Sequence, residues 1–184
     1  LRWLLKEYPC DLALVVATSE NEICNVVRNA KIPLLVNQSS EQVSKYANDR
    51  GIELDIGVMA WWPTIIKQPL IALPRFGFIN THPSFLPHNR GKHYNFWALV
   101  EQVPFGATLH FVGEGVDSGD IVAQTRILYG WEDNGATLYA KAQSAIVSLF
   151  KETYPSIRAL NIPRSKQYLD RGSFHISSEM YVAS

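Results

Sequence analysis

Phe78-Ile79-Asn80-Thr81-His82-Pro83-Ser84-Phe85-Leu86-Pro87 is the stretch around which the 184-residue chain can be organised. An apolar strand runs into Asn80, Thr81 and His82. Pro83 then ends its ladder, because proline has no N–H to donate. Side chains alternate along a strand, so Asn80 and His82 face the same way from its last residues. An amide and an imidazole make a poor core, but the carboxyl end of a strand is where open α/β sheets place their ligands. Outward from there come Asn89-Arg90-Gly91, then Gly106-Ala107-Thr108-Leu109-His110-Phe111-Val112, then Val116-Asp117-Ser118-Gly119-Asp120.

On either side, helical and strand patterns alternate. Leu1, Leu4, Leu5 and Tyr8 fall at i, i+3, i+4 and i+7, as in the end of an amphipathic helix that Pro9 stops. Short apolar runs predict strands over 11–17, 32–36, 54–60 and 76–82. Ser19 or Asn21 predicts a helix cap, with the helix running to about residue 30. Ser39-Ser40-Glu41-Gln42 opens a second helix, ending near Gly51. After the loop Trp61-Trp62-Pro63, a short helix is expected to about residue 70. A helix over 95–102 shows Phe96, Trp97 and Val100 on one face. Strands over 107–112 and 121–128 have a short connection, which suits an antiparallel pair. The longest helix is expected over 134–154, with Leu138, Ala142, Ala145 and Leu149 as its buried stripe. Residues 156–184 read as a polar tail after a catalytic domain over 1–155. This alternation predicts a Rossmann-like three-layer α/β sandwich with a mostly parallel sheet. Such domains begin with a strand whose turn often cradles phosphate, whereas this chain begins inside a helix. The first strand is therefore expected to be missing.

Composition narrows the function classes. With 17 basic and 17 acidic residues the net charge is zero, which disfavours a strongly electrostatic nucleic-acid binder. No apolar run is long enough to span a bilayer, so no membrane partner is expected. Cys10 and Cys24 are too few for a disulfide scaffold, read as small buried residues, and make a reducing cytoplasm the expected setting. His88, His93 and His175 show no metal-ligand spacing, so no metal is expected.

The central residues can do chemistry. The N–H₂ of Asn80 could bind a developing oxyanion. His82 could take a proton from an attacking amine and pass it on. Asp117, in a glycine-flanked loop, could fix that imidazole and stabilise its cation. Amide, imidazole and carboxylate without a Ser or Cys nucleophile suit direct acyl transfer to an amine. The same residues would equally serve to satisfy loop carbonyls and shape a turn. Arg90 could clamp a phosphate or carboxylate, or be a surface arginine. Thr108 and His110 share a strand face and either support Asp117 or are satisfied core groups. Trp61 and Trp62 could wall a flat aromatic ligand, or fill space against the sheet.

Taken together, Asn80 to Pro87, Arg90-Gly91, Gly106 to Val112 and Val116 to Ile121 resemble the formyltransferases that use N10-formyltetrahydrofolate. The likeness covers roughly residues 11–154. It implies a catalytic Asn80, His82 and Asp117, with no metal. It implies a folate site from two loops, one with Met59, Ala60, Trp61 and Trp62 and the other with Gly113, Glu114, Gly115, Val116 and Asp117. The run from Asn89 through Lys92 and His93 to Trp97, the Pro104-Phe105-Gly106 step, and the C-terminal Ile162-Pro163-Arg164 and Gly172-Ser173-Phe174-His175 are similar to the sugar-nucleotide N-formyltransferases. That branch implies formyl transfer from N10-formyltetrahydrofolate to a primary amine on a nucleotide-linked amino sugar, held by Arg90 and Lys92, in a cytoplasmic homodimer. A formyltetrahydrofolate hydrolase, a glycinamide ribonucleotide type of transferase and a non-catalytic folate-binding remnant are the alternatives.

Overall fold

Local capping sets the helices. Asn21 accepts a hydrogen bond from the Ile23 N–H and starts α2, Glu22–Asn29, which buries Cys24 and Val27 one turn apart. Ser39 and Gln42 form a reciprocal capping box at the start of α3, Ser40–Asp49, which buries Val43, Ser44 and Ala47. Ahead of these lies α1, Arg2–Glu7, none of whose residues is buried. Between them run β1, Val15–Ala17, and β2, Leu34–Val36, paired in parallel with Val15 opposite Leu34 and Ala17 opposite Val36. A parallel pair needs a crossover, and α2 supplies it.

The computed structural model describes residues 1–181. It separates into two compact units: Leu1–Gly57 with Trp62–Phe78, and Val58–Trp61 with the described chain from Ile79 onward. The division falls within β3, Gly57–Met59, and β4, Phe78–His82. These strands belong to a four-stranded sheet of order β3-β4-β6-β7, with β6 at Phe105–Phe111 and β7 at Ile121–Ile127. β6 runs antiparallel to both β4 and β7, as the short connection to β7 predicts. Every residue of β6 is buried. Leu109 is fully inaccessible, so Leu109→Ala should cost about 2–5 kcal/mol.

Two helices complete the second unit, α4 at Tyr94–Glu101 and α5 at Gly135–Arg158. Asn134 caps α5 with a second capping box through Thr137. The buried stripe of α5 is Leu138, Ala142, Ile146 and Leu149, with Tyr154 and Ile157 beyond. Ile146, four residues after Ala142 on the same helix face, continues it in place of the expected Ala145, which is half-buried. α5 also runs through Pro155. That proline lies in the last turn, and the Ala159 N–H still bonds to its carbonyl. No helix forms over 63–70; a single 3-10 turn, Leu70–Ala72, comes later. Pro63 and Pro69 remove two backbone donors from that window.

The segment after Pro155 is built into the sheet unit. A two-residue strand β8, Phe174–His175, pairs in parallel with β5, Arg90–Gly91. Ser165 bridges to Ile121. Sequence periodicity is weak here because each contact involves only one or two residues.

Candidate functional site

The β4–β6 register places Asn80 opposite His110 and His82 opposite Thr108. Directly opposed residues of an antiparallel pair project from the same face, so four polar side chains meet at the carboxyl end of β4. Asp117 reaches them from the loop after β6. Its backbone is left-handed, with φ 48°, a conformation that Asp tolerates better than most residues. The Gln167 side chain donates to the Asp117 carbonyl at 3.1 Å. Gly119 is required beside it, since a Cβ there would collide with the Phe111 carbonyl oxygen.

Asp117 is the hub. One carboxylate oxygen accepts the Gly91 N–H at 2.9 Å and lies 3.4 Å from His82 Nδ1. The other accepts from Asn80 Nδ2 at 3.3 Å and lies 3.5 Å from His110 Nε2. Backbone carbonyls assign the ring protons. His82 Nε2–H donates to the Asn89 carbonyl at 3.2 Å, and His110 Nδ1–H donates to the Phe111 carbonyl at 2.8 Å. A carbonyl only accepts, so neutral His82 keeps its lone pair on Nδ1, facing Asp117. His110 Nε2 then accepts the second proton of the Asn80 amide at 3.3 Å. Both Asn80 protons are thus engaged, and an oxyanion drawn to Nδ2 must compete for one. The opposite amide orientation would set two oxygens against each other, so this one is fixed.

Electrostatics follow from burial. Burial pushes the His82 imidazole below its ordinary range, against the raising effect of Asp117, while His110 and Lys92 lower it further and the Asn89 carbonyl opposes. Burial alone would raise Asp117, but attraction to the His82 ring when that ring is protonated, the His110 side chain and the Gly91 N–H outweigh it and hold the carboxyl well below the usual carboxylate range. The site therefore pairs an ionised carboxylate with a neutral imidazole whose Nδ1 is ready for a proton.

The other sequence-predicted residues divide. His110 Nε2 lies 3.5 Å from Asp117 and 3.3 Å from Asn80 Nδ2, beside the carboxylate. Thr108 does not touch it. Its hydroxyl donates to the Ser84 carbonyl at 2.7 Å and accepts from Gln124 Nε2 and the Leu86 N–H, so it supports the turn after β4. Arg90 is half-buried, its Nε has no partner among the described residues, and its guanidinium lies 5.7 Å from the Phe174 ring. Lys92 is exposed. Gly113, Glu114, Gly115 and Val116 form an exposed turn closed by Ser118 Oγ on the Gly115 carbonyl. Met59, Ala60 and Trp61 belong to the same unit as the cluster, whereas Trp62 falls in the first unit. Trp61 is left-handed at φ 52°, unusual for so bulky a residue, as loops at functional sites often are. Among the described residues no group of three or more His, Cys, Asp or Glu is placed to hold a metal. No described helix is long and apolar enough to cross a membrane. Sequence reasoning missed Asn89, Gly91 and Gln167, whose contributions run largely through main-chain groups. Only Gly91 carried a signal, as an isolated glycine in a loop.

A Rossmann-like sheet with an Asn–His–Asp cluster beyond a strand's carboxyl end, and no nucleophilic Ser or Cys in it, defines a class of group-transfer domain. The chain belongs to the formyl transferase family, which it matches over residues 12–153. It is 30% identical to methionyl-tRNA formyltransferase of Bacillus licheniformis over 137 residues, covering 74% of this chain and 43% of that protein. It thus spans about two fifths of the length of the curated relatives it matches. Among solved structures it resembles the formyltransferase PseJ from Anoxybacillus kamchatkensis, in complex with UDP-4,6-dideoxy-4-formamido-L-AltNAc and tetrahydrofolate. That likeness has a TM-score of 0.70 at 26% identity, over 92% of this chain and 89% of that one. Phosphoribosylglycinamide formyltransferase from Bacillus halodurans gives 0.69 at 27%, over 82% of each.

Proposed function

We propose that this chain transfers a formyl group from N10-formyltetrahydrofolate to a primary amine, with a nucleotide-linked amino sugar as acceptor. The observation that carries the reading is the cluster itself: ionised Asp117 within 3.4 Å of a neutral, buried His82 Nδ1, with an amide beside it. In this reading the amine adds to the formyl carbon and its proton passes to His82 Nδ1. Asp117 stabilises the imidazolium as it forms. Asn80 exchanges one of its internal bonds for the developing oxyanion. The C–N10 bond then breaks, and the proton leaves with N10. Arg90 and Lys92 are assigned to the acceptor, and Met59 to Trp61 with Gly113 to Asp117 to the donor. The preference for a sugar acceptor is supported by the PseJ likeness over 92% of the chain. A cytoplasmic homodimer is part of the same proposal.

A glycinamide ribonucleotide acceptor is the second reading, favoured by the comparable identity to the Bacillus halodurans enzyme. Both are tested by incubating the chain with N10-formyltetrahydrofolate and either UDP-4-amino-4,6-dideoxy-L-AltNAc or glycinamide ribonucleotide, and following tetrahydrofolate release. Turnover with the UDP sugar alone supports the first reading and turnover with the ribonucleotide alone the second. Formate release without any amine would replace both with a hydrolase, and donor binding without turnover would leave a folate-binding protein.

A further inference from the structure

The last residue of α4 gathers an unusual set of partners. Glu101 Oε2 accepts from Asn89 Nδ2 at 2.9 Å and from Ser173 Oγ at 2.7 Å. Its Oε1 lies 2.8 Å from His175 Nε2. Two segments, one 12 residues before Glu101 and one more than 70 residues after it, thus meet on one carboxylate, whose side chain is only 25% exposed. His175 is fixed on two further sides: Nδ1 lies 2.8 Å from a Glu179 oxygen, and the ring stacks on Trp97 at 4.0 Å and 7°. Ser173 Oγ in turn accepts the Asn89 N–H at 3.0 Å.

What this assembly grips is the segment Asn89 to Gly91. Asn89 is fully buried with a left-handed backbone, φ 52°, and both its amide side chain and its N–H are tied into the assembly. Such a conformation persists only when its surroundings over-determine it. The short β5–β8 pairing adds ladder bonds at its ends, Arg90 N–H to the Ser173 carbonyl and Lys92 N–H to the His175 carbonyl, each at 3.0 Å. The gripped segment has two polar contacts with the catalytic cluster. The Asn89 carbonyl takes the His82 Nε2–H, and the Gly91 N–H goes to Asp117. A clamp serving only to dock the C-terminal segment has no need to aim these two groups.

We propose that Glu101 is a positioning residue which, through Asn89, Ser173 and His175, holds the Asn89 carbonyl and the Gly91 N–H so that His82 keeps its proton on Nε2 and Asp117 stays oriented. This rests on the catalytic reading of His82 and Asp117 given above. Released from the Asn89 carbonyl, neutral His82 would instead place its proton on Nδ1 and donate to Asp117, blocking the atom that must receive the amine's proton.

The test uses the full chain carrying Glu101→Gln, with circular dichroism and urea unfolding to confirm the fold. Side-chain ¹⁵N shifts of His82 report which ring nitrogen bears the proton, with no ligand present. Turnover is measured with N10-formyltetrahydrofolate and UDP-4-amino-4,6-dideoxy-L-AltNAc. The expected result is a mixed or Nδ1–H tautomer in place of a single Nε2–H form. The kcat should fall roughly tenfold or more, since small misplacements of reacting groups are costly, while KM for the donor stays within about twofold of the parent. Ser173→Ala should do the same, and Ser173→Thr, which keeps the hydroxyl, should restore most of the loss. If Glu101→Gln fails to fold, the Ser173 pair decides the matter. A folded variant with the parental tautomer and kcat would overturn the proposal while leaving the catalytic reading intact. Parental turnover in His82→Gln would overturn the catalytic reading, and with it the role given to Glu101.

Discussion

Asp117→Asn separates what the carboxylate does for the reaction from what it does for the fold. The substitution keeps the shape and removes the charge. An imidazolium forming on His82 would stand 3.4 Å from that charge. At an effective dielectric of about 20, opposite charges at this separation attract by about 5 kcal/mol. Losing this attraction from the transition state lowers the rate by roughly three orders of magnitude or more, at about 1.4 kcal/mol per tenfold. The fold should suffer far less. The introduced amide still offers one oxygen to the Gly91 N–H or to Asn80, and hydrogen bonds to charged groups are worth about 1.5–3 kcal/mol. Against their loss stands the desolvation of a carboxylate whose side chain is only 12% exposed, which the amide no longer bears. Because burial keeps His82 neutral, removing the Asp117 charge strands no buried cation. The net destabilisation should be about 1–3 kcal/mol. Urea unfolding at neutral pH measures the second quantity. Tetrahydrofolate release, with whichever of the two amines the parent formylates, measures the first. A folded Asp117→Asn variant whose kcat stays within about tenfold of the parent would refute the reasoning, because a charge at that distance could not then be stabilising the transition state.

Three further outcomes are expected. His82 is held below its ordinary value of 6.5, so it binds a proton more readily unfolded than folded. Its contribution to stability is complete above that value and is lost as the pH falls from there toward the folded value, by up to about 1.4 kcal/mol per pH unit. Urea unfolding from about pH 8 to about pH 5 should thus show a steeper decline in the parent than in His82→Gln, and parallel curves would contradict the burial argument. Gly91→Ala puts a Cβ against the His175 carbonyl oxygen at a φ of +89°, and should cost about 2–4 kcal/mol through strain and lost ladder bonds. Hydrogen exchange at Arg90 and Lys92 should accelerate with it, and unchanged protection would show that β8 is not held through this contact. Thr108→Val strips three hydrogen-bonding groups of a partner and should lower stability by about 2–5 kcal/mol, read from the urea midpoint. A neutral result would mean that the turn after β4 is held by other means.

The sheet and its polar cluster were legible because strand periodicity is simple. Alternation places Asn80 with His82 and Thr108 with His110, and an antiparallel register brings the two pairs onto one face. Asp117 was legible because glycines on both sides marked a loop that can return to the sheet. Thr108 shows where this ends: its face was right and its partner wrong, since periodicity gives direction but not distance. Asn89, Gly91 and Gln167 were hidden for another reason. The groups that reach His82 and Asp117 from Asn89 and Gly91 are a carbonyl and an N–H, which every residue type but proline carries. Glu101 and His175 lie 74 residues apart, and no local pattern announces such a pair. The helix expected over 63–70 failed because apolar content there had no period and two prolines interrupt it.

The complete burial of β6 divides the molecule by how freely it can vary. His110 and Thr108, and the face opposite Asn80 and His82, lie on a strand where a change of even one methyl group is felt in the packing. Gly113 to Val116 and Lys92 are exposed. Substitutions there leave the interior undisturbed. On the assignment proposed above, contacts to the acceptor can therefore change at Lys92 and contacts to the donor at Gly113 to Val116, one residue at a time, while the buried cluster stays fixed. On that proposal the same scaffold can be re-addressed without being rebuilt, and Lys92 is the position to randomise when seeking a new amine.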